Sequence, residues 1–416
     1  MLSPFSIYFA LFFGLTFLTA IDIFNLFEWR FIKPLPYIAA FAFIAARIGG
    51  LWKGRPVLRP SISILSFILL FLFALPGLVL NKLHGEHSSF FTGIFQILIV
   101  TAALWACEEN RRLGLTTEKV LRCLQLLGFA FCGIGILGHL MKLGLPGVSG
   151  WFTLVTHEKG YLLPLAFLPS LALGDKKRAR IGLALAIVFT ILSLKLILAL
   201  LIPVTYLLFW LLGKLKGERP IWVMVGVMLF VALFPRVIFD LPDQISNFVY
   251  FHIQRPLRLK YDDIPFFHYI LHKGNDFSLR RMTWTLGFAE FAKSPIYGNL
   301  FQGWASVLIP FERTTWEVPY HNDFLEVAAK GGAIGLSLML TGFFASLFET
   351  LRFRSRLRFD SLDRRFHDVL FVTIVASMLC LFINPVLNQT RSGVGVWFIL
   401  GLAFLMRVRS GRHRVV

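Results

Sequence analysis

Across 416 residues, 56% hydrophobic content against 16% charged, with 45 phenylalanines, excludes an ordinary soluble domain. The formal charge of +19 is concentrated in short stretches between apolar runs, a pattern of membrane orientation and not of a nucleic-acid surface. The expected fold is therefore an all-α polytopic membrane protein, one integral domain over residues 1–416.

In chain order, the apolar runs predict twelve spans, at 4–27, 34–51, 61–80, 88–107, 120–141, 161–174, 181–194, 196–213, 221–239, 331–350, 369–386 and 393–406. A helix needs about 20 apolar residues to cross a hydrocarbon core roughly 30 Å thick. The first run lacks a basic leader and carries Asp22 near its far end, so it reads as a retained span and not a cleaved signal. The sixth, seventh and twelfth runs hold only about 14 residues and need flanking residues or burial within the protein. Cys107, Cys123, Cys132 and Cys380 lie in or beside apolar segments without metal-ligand spacing and read as structural thiols.

Basic residues set the expected topology. The stretches 47–59, 175–180, 214–219 and 351–368 and the tail from Arg407 to Arg414 are rich in Lys and Arg, and twelve spans put all five on the cytoplasmic side, with both termini. The mixed-charge stretch 108–119 fits less well. Residues 240–330 then form one large extracytoplasmic loop, with nine Lys or Arg and ten Asp or Glu. Pro242, Pro256, Pro265, Pro295, Pro310 and Pro319 are expected to break it into short helices and turns.

Within that loop, Trp284, Phe288 and Phe291 follow a helical spacing, although Gly287 among them weakens the helix. Arg280 and Arg281 at its start read either as snorkelling residues of a helix lying on the membrane or as a forked clamp for a diphosphate. At the loop's end, Asn322 is expected to cap a helix that runs back into the bilayer, with Asp323 and Glu326 suited to its positive end. His321 either merely precedes that helix or is a general base, since an imidazole titrates near neutral pH and can take a proton from a hydroxyl. His268 and His272, four apart, lack a third ligand, so no metal is expected. Asn388-Gln389-Thr390 matches a glycosylation sequon without further support. Lys195 interrupts an apolar run of 33 residues and is expected at the outer tip of a tight hairpin. The twelve-span topology brings Asp22, His157, Lys159, Asn388 and Arg391 to the same outer face, where they would suit an anionic head group.

Taken together, Arg280 with Trp284, then Pro295 and Gly298, then His321-Asn322 leading into Gly331-Gly332, resemble the O-antigen ligase family of membrane glycosyltransferases, grouped with the O-antigen polymerases. The resemblance covers mainly residues 180 to 400. It implies a bacterial inner-membrane enzyme with a periplasmic site. Its donor would be a glycan on undecaprenyl diphosphate and its acceptor a lipid A–core sugar. Transfer would be inverting and would need no metal or other cofactor. On the same resemblance, His321 is the catalytic residue, Arg280, Arg281 and Lys195 bind the diphosphate, and Asn322 and Trp284 support them. The family often has Ser-Arg where this chain has Ser193-Leu194-Lys195, and lysine keeps the charge without the forked geometry, so either Lys195 substitutes or Arg280 and Arg281 hold the phosphate. A polymerase or protein-directed transferase using the same donor is the alternative; a flippase would favour midplane charges and an internal repeat.

Overall fold

The computed structural model describes residues 61–83, 116–144, 159–193, 196–215, 280–301, 306–311 and 314–383, with separate positions within 222–229 and 386–403. The expected spans 4–27, 34–51 and 88–107 lie outside these residues, as do 240–279 of the large loop, Lys195, His157, Asp22, Asn388 and Arg391.

The described chain is helical apart from one two-stranded ribbon. In order it forms α1 (Ile62–Leu83), α2 (Thr117–Gly144), a 3₁₀ segment (Gly160–Ala166), α3 (Leu168–Leu173), α4 (Lys176–Ser193) and α5 (Leu196–Lys214). Helix α6 (280–293) follows, then β1 (Ser306–Phe311), β2 (Thr314–Pro319), α7 (Asp323–Ser355) and α8 (Leu362–Ile383). Three helices among the described residues are long and apolar enough to cross a membrane: 24 residues of α2, the 33-residue α7 and the 22-residue α8.

The short sixth run is the centre of the bundle. Tyr161 through Leu168 are all buried, held between α2, α4, α5 and α8. Glycines make that approach possible: a Cβ on Gly128 of α2 or Gly182 of α4 would overlap the backbone at Leu165 or Ala166. A segment buried in protein need not span the hydrocarbon by itself. Gly174 ends α3 in the left-handed conformation (φ 78°), its amide donating to Leu171 O (3.1 Å) and that of Asp175 to Ser170 O (2.9 Å). Asp175 then caps α4 by accepting from the Arg178 amide at 3.0 Å. The seventh run is thus longer than its apolar core suggests, because the basic residues 176–180 are already helical.

At one end of the bundle the basic residues close helix termini. The stretch expected as the loop 351–368 is largely helical, and the link between α7 and α8 is only 356–361. Fully buried Arg354 donates to Asp368 and to the Leu212 carbonyl in the last turn of α5. Arg364 donates to the Leu215 carbonyl at 2.8 Å, and Arg365 to the Ala172 carbonyl at 3.4 Å. Carbonyls at helix C-termini lack intrahelical partners, and cations there also oppose the negative end of the dipole.

Along α7, Ser63 of α1 donates to the Gly342 carbonyl at 2.7 Å, and Phe67 stands edge-on to Phe343 at 5.4 Å. Close approach through small residues is the usual way apolar helices associate without a hydrophobic driving force.

Candidate functional site

The site lies at the other end of α7, where β2 delivers the chain to Tyr320 and His321. The ribbon pairs Ser306 with Pro319 and Phe311 with Thr314 in antiparallel register. It was not expected: Pro310 and Pro319 read as breaks into helices and turns, yet proline is tolerated in strands that have an outer edge. The alternating Thr-Thr-Trp-Glu-Val of β2 was the available signal.

Two turns later α7 is broken. Gly332 has φ 60° and ψ −161°, a region essentially reserved for glycine. The helix starting at His321-Asn322 therefore does not run straight on, as expected, but bends at the Gly331-Gly332 pair. The backbone groups freed by the break are taken up by the segment 294–301. Phe301 N donates to Lys330 O (3.1 Å), while the amides of Ala333 and Ile334 donate to Pro295 O (2.8 Å) and Ile296 O (3.1 Å). Buried backbone groups must find partners, and here a loop supplies all three. The loop is tightly wound, with positive φ at Gly298, Leu300 and Phe301. A Cβ on Gly298, Gly332 or Gly77 of α1 would overlap neighbouring backbone.

That loop is the continuation of α6, and α6 is docked on the start of α7. Buried Thr283 donates its hydroxyl to Arg280 O at 2.9 Å and to Tyr320 O at 3.4 Å. Trp284 stands edge-on to Phe382 in the last turn of α8, with centroids 5.5 Å apart. A Cβ on Gly287 would lie 2.8 Å from Leu325 and 2.9 Å from the Tyr320 ring, so the glycine that weakened the sequence reading is what lets the two helices meet.

This docking separates the two arginines. Arg280 is in helical line with Thr283, Trp284 and Gly287 on the docked side and is half-buried; Arg281, roughly 100° further round, is exposed. It also divides the expected aromatic face: Trp284 is buried, Phe291 half-buried, and Phe288 is 59% exposed.

His321 is half-buried and holds φ 53°, an uncommon backbone for a residue with a Cβ. Asn322, as expected, caps α7: its side chain accepts from the Leu325 amide at 3.0 Å. Asp323, Glu326 and Lys330 in the first segment of α7 are all buried, and so is Lys159 at the start of the 3₁₀ segment. Buried Tyr320 has its phenol pushed up to about 12, by burial first and then by the charges of Glu290 and Glu326. It is therefore a neutral hydroxyl throughout the physiological range. Tyr320, Thr283 and Glu290 went unread in the sequence as parts of a site, because no local pattern announces them, and Glu326 was read only as suited to the positive end of α7. Among the described residues no three His, Cys, Asp or Glu side chains converge in the manner of a metal site. Lys195 and the pair His268 and His272 lie outside the described residues.

Comparison of the chain with protein-family models gives no match, and none of the curated proteins compared with it matches significantly. The site must therefore be read from its own chemistry.

Proposed function

We propose that this protein is a membrane glycosyltransferase of the O-antigen ligase type, moving a glycan from undecaprenyl diphosphate to a sugar hydroxyl of lipid A–core. The observation that carries this reading is the docking of α6 on Tyr320, which fixes the stretch from Arg280 onward against the turn bearing His321. A diphosphate is a good leaving group once its growing charge is offset, and Arg280 on the docked side supplies the cation. The remaining need is removal of a proton from the acceptor hydroxyl, the role given to His321. Neither step calls on a metal or a redox cofactor. Lys195 completes the donor subsite in this reading, and Arg281, on the exposed side of α6, has a lesser part in it than Arg280. The clustering of Arg354, Arg364 and Arg365 at the opposite end of α7 and α8 supports an orientation with that end cytoplasmic. The His321 end then faces the periplasm, from an inner membrane crossed by twelve spans with both termini inside.

The test is transfer from purified lipid-linked glycan by the full chain in nanodiscs. Arg280→Ala loses transfer strongly and Arg280→Lys restores it only in part, because the forked donor is gone. Arg281→Ala retains more activity than Arg280→Ala; the reverse order would move the donor contact to the exposed face of α6. Cells lacking the protein accumulate lipid-linked polymer beside bare core. Core capped with a single repeat unit would mark a polymerase instead.

A further inference from the structure

Helix α6 has a second face. Its inner side meets Tyr320 and Leu325 at the start of α7 and Phe382 at the end of α8. These are the termini of two membrane-length helices, so α6 lies at the level where those helices leave the hydrocarbon. On its outer side Met282, Leu286 and Phe288 are 40%, 39% and 59% exposed, and just beyond its end Ile296 and Tyr297 are 62% and 54% exposed. The exposed positions of α6 include two basic residues, Arg281 and Lys293, and no acidic one; Lys293 also reaches Glu290 at 2.7 Å.

A run of exposed Met, Leu, Phe, Ile and Tyr edged by cations is costly against water. At the headgroup–acyl boundary each part has a place: the apolar side chains enter the acyl region, Tyr297 spans the boundary, and the basic residues meet lipid phosphates. We propose that this outer face of α6, continued by Ile296 and Tyr297, is an interfacial lipid-binding surface seated in the leaflet at the His321 end. The occupant is bilayer phospholipid. One helix thus has the bilayer on one side and the His321 turn on the other. The inference does not depend on which reaction the site performs.

Spin labels on single cysteines at Leu286, Phe288 and Tyr297, in an otherwise cysteine-free full chain, test this in phosphatidylethanolamine–phosphatidylglycerol nanodiscs. Collisions with oxygen should exceed those with a water-soluble nickel chelate, as they should at the exposed positions Leu126 and Leu137 of α2. Preferential access for the chelate would show a water-facing surface. Exclusion of both reagents would show that protein covers it. Either result overturns the proposal. Because labelled variants can misfold, the unmodified chain is also irradiated with a phospholipid carrying a diazirine in its acyl chain. Adducts should map within 281–297 as well as to α2. Adducts on α2 with none in 281–297 would equally overturn the surface.

Discussion

At its C-terminal end α7 buries Arg354 against Asp368 and a helix-terminal carbonyl; at its N-terminal end it buries Asp323, Glu326 and Lys330 behind a histidine held at φ 53°. The first end uses charge to close helices in regular geometry. The second breaks regular geometry, at His321 and at Gly332, and spends a whole loop satisfying the groups exposed by the break. The difference is one of backbone: charge closes regular helices at the first end, and a strained chain shapes the second. A side chain at the first end is explained by its partners. His321 is set apart by its backbone, which a glycine would fit better.

The largest effect should come from the closed end. Arg354→Ala leaves Asp368 buried without its partner, and losing one member of a buried pair costs about 3–5 kcal/mol. Thermal unfolding in mild detergent should show this loss, and Arg354→Met with Asp368→Leu should recover most of it. A tolerated single substitution would show that the Arg354–Asp368 pair does not hold that end of the bundle together.

Next is the break in α7. Gly332→Ala forces a side chain into a conformation costing about 1–3 kcal/mol and into the backbone of Ile296. It should lower stability and, by displacing the loop that follows α6, reduce transfer as well. Reduced stability with full activity would separate the loop from the site.

How much of this was legible in the sequence follows the same division. Helices α1, α2, α5 and α8 fall where apolar runs predicted them, because length and hydropathy are local properties. Asn322 as a cap and the Gly-Gly pair were visible for the same reason. The bend at Gly332 was not, because the partners of the freed backbone groups lie far off in sequence, at Pro295, Ile296 and Phe301. Burial was one of the two ways offered for the short sixth run, but the glycines of α2 and α4 that admit it were not legible. Proline counting concealed the ribbon before Tyr320. The aromatic spacing at 284, 288 and 291 identified the helix, while its faces were settled by what it docks on.

A smaller effect concerns Tyr320. Its phenol is pushed up to about 12 from the usual value near 10, so the unfolded chain ionises first as pH rises. The associated stability is complete below about pH 10 and is lost on the way to pH 12. In an alkaline absorbance titration, Tyr320→Phe should remove a tyrosinate component that appears after the exposed tyrosines. Loss of an early component instead would mean that the Tyr320 turn is open to solvent.

On the proposed function, His321 acts from a backbone position that favours glycine. The most direct measurement follows transfer and stability together for wild type, His321→Ala and His321→Gly in nanodiscs with purified lipid-linked glycan. Both variants should lose roughly 10²–10⁴-fold in transfer, while His321→Gly, freed of the left-handed strain, gains about 1 kcal/mol in stability. Near-normal transfer by either well-folded variant would contradict the account.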